Sequence, residues 1–194
     1  MCYIKEVSMP PKVKVTKEEI INAAVEIVRE SGAAAINARD VAKALNSSTQ
    51  PIFSNFNTMD ELRLSVVERA DMLCGEYISR EIENGEFPSY KASGMAYIRF
   101  AKEEKELFKL LYMRDRSGEN VPEEAGLSGK MEIIVHNSTG LCGDDAKLFH
   151  LEMWAYVHGI ATMFATGFLD LDWSLVSKML TDSYQGLKKQ YGME

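Results

Sequence analysis

The sequence TKEEIINAAVEIVRESGAAAINARDVAKALNSSTQPIFSNFNTMDEL, residues 16–62, carries four helix starts within one short span. Thr16 and Glu19 have the spacing of a capping box, in which hydroxyl and carboxylate satisfy the orphan N–H groups of a first turn. Ile20, Ala23, Ala24, Ile27 and Val28 then recur at helical spacing until Ser31-Gly32 breaks the run, predicting a first helix of about 15 residues. Asn37 can cap a second, short helix over 38–45, with Val41, Ala42 and Leu45 on one face. Asn46 stands at the break, where a short amide tolerates a left-handed backbone. Ser47 and Ser48 are read as caps of a third helix running to about residue 55, with Ile52, Phe53 and Phe56 apolar. Pro51 falls in its first turn, where a missing N–H costs little. Thr58 and Glu61 form a second capping box before a long helix.

Two short helices joined by a tight turn and set against a longer one make a helix-turn-helix. The second helix of such a pair reads the major groove with its N-terminal residues, here Ser47, Ser48, Thr49 and Gln50. Glutamine can bond adenine through N6 and N7, and threonine offers a hydroxyl or a methyl to a base edge. The plainer reading of the same pattern is an ordinary three-helix unit with a polar surface.

Outward from this span the chain stays helical. The long helix, with Met59, Leu62, Val66, Ala70, Leu73 and Tyr77 on one side, ends near Asn84-Gly85. Pro88 suits the first turn of a helix to about residue 102, and further helices are predicted over 103–114, 127–137, 144–167 and 172–191, with a loop over 115–126. The fold class expected is all-α, with about nine helices. Residues 148–168 are apolar nearly all round, so that helix should be hidden on more than one side, by its own core and by a second subunit.

Composition narrows the function. An apolar fraction of 46% and a charged fraction of 26% are those of a soluble globular chain, with no apolar run long enough for a membrane span and no secretory signal at the start. Cys2, Cys74 and Cys142 lie far apart and read as free thiols in a reducing cytoplasm. Net charge is −7, yet residues 12–63 balance to zero, so the deficit sits on residues 64–194. An acidic body with a neutral head can dock on DNA only weakly by charge alone. There is no Gly-rich phosphate loop, nucleophile elbow or paired-histidine metal motif, so no enzyme, cofactor or bound metal is expected. His150, Trp154 and His158 recur every four residues, but two histidines without further ligands do not make a metal site.

Residues 16–68 resemble the DNA-binding region of the TetR family of transcription regulators. The likeness runs through Ile20-Ile21-Asn22-Ala23-Ala24, Asn37-Ala38-Arg39-Asp40-Val41-Ala42, Ile52-Phe53-Ser54-Asn55-Phe56 and Asn57-Thr58-Met59-Asp60-Glu61-Leu62. It implies that Thr49 and Gln50 meet base edges, that Arg39 reaches DNA from the second helix, and that Lys17, Asn37 and Ser48 bond phosphates. Phe53 replaces the family's usual tyrosine and Met59 its common lysine, which removes two phosphate contacts. Trp154-Ala155-Tyr156-Val157-His158-Gly159 resembles the Trp-x-x-x-His-Gly signature of one C-terminal subfamily.

The resemblance implies an N-terminal arm (1–14), a helix-turn-helix domain (15–60) and a helical ligand-binding and dimerisation domain (61–194). Its expected partners are a double-stranded DNA operator of inverted repeats, a small apolar inducer and a second copy of the chain, with no membrane. Met95, Phe108, Tyr112, Met131, Trp154 and His158 are read as ligand contacts, His158 orienting a polar group, against the plainer reading of core. Eleven methionines favour adaptable apolar packing. The function expected is a cytoplasmic repressor released by its ligand. The alternative is a helical sensor or partner-binding protein with weak or lost DNA affinity.

Overall fold

A computed structural model describes residues 15–115 and 129–193. The predicted arm (1–14), residues 116–126 of the predicted loop and the predicted start of the seventh helix at 127 lie outside the described residues. Thr16 caps α1 (Lys17–Ser31) with the full reciprocal box, and Gly32 ends it at φ 79°. A 3-10 turn, Ala33–Ala35, leads to α2 (Ala38–Ala44), capped by Asn37. Then come α3 (Gln50–Asn55), α4 (Met59–Asn84), α5 (Ser89–Glu103), α6 (Lys105–Tyr112), α7 (Lys130–Thr139), α8 (Gly143–Thr166) and α9 (Trp173–Gln190). Among the described residues there are nine α-helices and no strand.

The turn between α2 and α3 differs from expectation in an instructive way. Asn46 is left-handed, at φ 48°. Its N–H bonds Lys43 O at 3.0 Å, and the Ser47 N–H bonds Ala42 O at 2.9 Å. These two bonds are a Schellman motif, so Ser47 closes α2 and is not free to open α3. The Ser47 hydroxyl donates to Ser48 O, and Thr49 takes the N-cap place of α3 without a side-chain bond. Neither serine caps the helix. At Thr58 the box is one-sided: the hydroxyl accepts from Glu61 N–H, but the Glu61 carboxylate turns back to the Asn57 N–H at 2.8 Å and its Nδ2 at 3.1 Å.

Within the chain the most deeply buried helix is α5, while α8 is covered along one face. Tyr90, Ala92, Met95, Ala96, Ile98, Phe100 and Ala101 are all buried, and α4 and α8 flank α5. Gly94 lets α8 and α9 approach, since a Cβ there would lie 3.1 Å from Leu180 Cδ2 and 3.5 Å from Val157 Cγ2. α8 buries Phe149, Met153, Val157, Ile160 and Phe164 on one face. Its other face leaves Leu148, Leu151, Ala155, Tyr156 and Gly159 exposed. One cluster of buried side chains runs from Ile20 of α1 to Leu180 of α9. A second joins Tyr90 and Val135 to Phe149 and Met153. No helix among the described residues is long and apolar enough to cross a membrane.

Candidate nucleic-acid interface and aromatic cluster

The polar end of the molecule is built by α2 and α3. On α3, Gln50, Phe53 and Ser54 are exposed at the i, i+3, i+4 spacing of one helix face, with Phe53 exposed to 54%. Gln50 stands at the first helical position beside Pro51. Ser48 is exposed and Thr49 half-buried, while Arg39 and Lys43 are exposed on α2. Ile52 and Phe56 anchor α3 from below. The face therefore holds donors, acceptors and one large apolar ring, on a helix fixed by its buried side.

Two of the expected phosphate-binding residues are engaged within the chain. Asn37 Oδ1 accepts from the N–H groups of Arg39 and Asp40 at 3.1 and 3.0 Å. Its Nδ2 donates to Asp40 Oδ2 at 2.6 Å and Ala35 O at 3.1 Å. Lys17 Nζ lies 3.4 Å from Glu61 Oε1 and 4.7 Å from the centre of the Phe56 ring. The Asn57 N–H bond, with a smaller part from Lys17, holds Glu61 below the usual carboxylate range.

Four of the six expected ligand contacts meet between α4, α5, α6 and α8. His158 is stacked between the Trp154 ring, at 5.0 Å and 27°, and the Phe108 ring, at 5.7 Å and 30°. Tyr112 lies 5.1 Å from Phe108 and its hydroxyl donates to Cys74 Sγ at 3.6 Å. Tyr97 completes the group, with its hydroxyl 2.9 Å from His158 Nδ1. Burial pushes the Tyr97 and Tyr112 phenols well above their usual range and the Cys74 thiol up to about 11. The Tyr97 phenol therefore stays protonated, and the direction of its bond to Nδ1 is set by the His158 tautomer: with the imidazole proton on Nε2, the phenol donates. Burial also lowers the His158 pKa, which favours that neutral form.

Met95 and Met131 stand apart from this group. Met95 is fully buried in the main core. Met131 belongs to the second cluster and, with Ile134, lines an open groove of about 660 Å³ against Met72, Ile78 and Ile82 of α4. Helical spacing alone could not separate these cases, because it says which residues turn inward and not which neighbour they meet. Tyr97 escaped sequence reasoning, and the sequence reads Cys74 only as a free thiol, not as a neighbour of Tyr112. The available signal was a matched spacing: Tyr90 and Tyr97 on α5 pair with His150 and His158 on α8, the first pair at 3.1 Å. Among the described residues no group of three or more His, Cys, Asp or Glu is placed to hold a metal.

Residues 90–182 match the model of the tetracyclin repressor-like C-terminal domain. The fold matches that of a TetR-like transcriptional regulator from Rhodococcus sp. RHA1, with a TM-score of 0.65 at 16% identity, over 92% of this chain and 98% of that one. Just under half of the chain thus matches a tetracyclin repressor-like C-terminal domain, and the chain shares its fold with a TetR-like regulator over most of its length. No curated protein matches it in sequence at a significant level. The matched segment spans α5 to the first half of α9, and so contains Tyr97, Phe108, Tyr112, Trp154 and His158. It also contains the exposed apolar face of α8, which continues past the helix end into Phe168, 76% exposed, and Leu169.

Proposed function

We propose that the protein is a dimeric, DNA-binding transcription repressor, acting in the cytoplasm, whose hold on an inverted-repeat operator is released by a small apolar ligand. The observation that carries this reading is the α2–α3 unit. A left-handed Asn46 sets the angle of the pair, and α3 presents Gln50 and Phe53 outward from a buried base. Gln50 serves as the base-reading residue, with Thr49 beside it, while Arg39 and Ser48 fix register on the backbone. The exposed stripe Leu148, Leu151, Ala155, Gly159 on α8 is the seam for a second copy, its small residues allowing close helix approach. Two heads then meet successive major-groove faces about 34 Å apart. The ligand enters the aromatic cluster, where its polar group accepts from His158 Nε2–H.

The test is selection of bound duplexes from a random library, followed by gel-shift on the winning sequence and on the upstream intergenic DNA. Gln50→Ala should cost about 1–3 kcal/mol on the selected site and relax one base position. Equal footprints for both proteins would remove Gln50 from the reading helix. A second reading is favoured by the commitment of Lys17 to Glu61 and of Asn37 to its own cap: a ligand sensor with weak or lost DNA affinity. It holds if no duplex is selected while small molecules still stabilise the protein in a thermal-shift screen.

A further inference from the structure

The last turn of α1 is pinned to the corner between α5 and α6. Glu104 occupies that corner, at φ −114° and ψ 51°, and belongs to neither helix. Its carboxylate receives a two-pronged bond from Arg29 of α1, with Nε donating at 2.8 Å and Nη2 at 2.7 Å. Arg29 Nη1 is held in turn by Glu26 at 2.5 Å. The Glu104 bond, more than any other contact, raises the Arg29 pKa, so the guanidinium stays charged. A second point of approach follows at once, where a Cβ on Gly32 would lie 3.2 Å from Glu106 Oε2.

Glu104 is also tied by its backbone to the aromatic cluster. The Phe108 N–H donates to the Glu104 carbonyl at 2.8 Å, and the Phe108 ring stacks on His158 and lies 5.5 Å from Tyr97. A ring displaced at Phe108 moves residue 104 through that hydrogen bond. The planar fork between guanidinium and carboxylate then carries direction as well as attraction to α1.

We infer that Glu104 is a positioning residue that relays movement of the aromatic cluster to the helix-turn-helix head through Arg29, in parallel with any path along α4. This relay rests on the reading that the cluster takes the ligand and the head takes DNA. A salt bridge that merely stabilised the fold would alter α1 equally whether or not the cluster were disturbed. A relay alters the response of α1 to that disturbance.

Hydrogen exchange on the full chain, read by mass spectrometry, separates the two without DNA or ligand. Phe108→Leu disturbs the cluster and should raise exchange at the amides of α1 roughly two- to thirtyfold, the range of coupling along packed networks. In a Glu104→Gln background the same change should still raise exchange in α5 but leave α1 near its starting rate. Arg29→Lys, which keeps the charge and loses the fork, should fall between. If Phe108→Leu unfolds the chain throughout, His158→Ala, a half-buried position, carries the same cycle. An equal rise at α1 in both backgrounds, or no rise in the wild type, overturns the relay. A gel-shift on the wild type is read separately, since loss of the DNA reading would leave the exchange cycle standing.

Discussion

Salt dependence of DNA binding gives the sharpest numerical test of the head. Five cations lie between residues 15 and 63: Lys17, Arg29, Arg39, Lys43 and Arg63. Arg29 is held by Glu104 and Glu26, and Arg63 by Asp60 at 2.7 Å and the Ile36 carbonyl at 3.1 Å. Arg39 and Lys43 are exposed and in no ion pair with a described residue. Each phosphate neutralised contributes about −0.9 to the slope of log K against log salt. Two such cations per subunit give a dimer a slope of about −3.6, and release of Lys17 from Glu61 would bring it to about −5.4.

The variant Lys12→Ala/Lys14→Ala removes two of the arm's three lysines, leaving Lys5 beside Glu6, and brings the slope close to this count. Fluorescence anisotropy on the selected duplex between about 50 and 200 mM salt should show affinity falling roughly 150-fold at the lower slope, and near 2,000-fold at the higher. Glu61→Gln should move the slope toward about −5.4, because the amide oxygen keeps the bond to Asn57 while freeing Lys17. A slope steeper than about −6 in the double variant would refute the assignment of Arg29 and Arg63 to structure. In the wild type, with Lys12 and Lys14 added, a slope beyond about −9 would refute the argument from charge itself.

Three further outcomes are expected. Asn37→Ala removes a cap that serves two N–H groups and should cost about 0.5–2 kcal/mol in denaturant unfolding. Asn37→Ser keeps a capping oxygen and should spare most of that stability while weakening DNA binding if the amide meets a phosphate, and unchanged affinity would confine residue 37 to capping. Burial holds His158 below its usual pKa, so the unfolded chain takes up the proton first as pH falls. Stability should therefore be full above about pH 6.5 and decline as pH falls through that value toward the folded pKa. His158→Gln should flatten this part of the profile, and a profile identical to wild type would mean other groups set it. Leu151→Glu, on the exposed face of α8, should convert a particle of twice 21.8 kDa into a monomer by light scattering without loss of helicity.

Element type was legible wherever a cap and a helical repeat agreed. Thr16-Glu19, Asn37 and the Asn84-Gly85 stop are each where the sequence puts them, because the signals are local. The errors arose where a local signal had two possible owners. Ser47 could open α3 or close α2, and the Schellman bond to Ala42 decided for the earlier helix. Glu61 could bond back to Thr58 or to Asn57, and it bonds Asn57. At the cluster, spacing foretold that Phe108, Tyr112, Trp154 and His158 turn inward. It could not foretell that a tyrosine seven residues after Tyr90 would meet His158, since that depends on the crossing of α5 with α8. The apolar girth of 148–168 was legible as well, but not its division: half is spent on the chain's own core, and half is left facing outward.

That division bears on how a head so poor in free cations could hold DNA. With Arg29 and Arg63 tied into the fold, each proposed head would make few backbone contacts, and binding that any sequence would support would be correspondingly weak. Specificity then rests on a few base contacts per half-site. Joining two heads through the α8 face makes the second contact intramolecular, so two weak half-sites add to a usable affinity only when their separation fits the DNA. A protein built this way is sensitive to small changes in that separation, because neither head can hold on alone. On the proposed reading, modest displacement at α1 or α4 would then be enough to release the operator. The direct check is a half-site duplex, on which the wild-type dimer and the Leu151→Glu monomer should bind with similarly low affinity, while only the dimer gains on the full repeat. Comparable affinity of the monomer for half and full sites, together with tight binding to both, would show that each head suffices and that separation is not what the ligand controls.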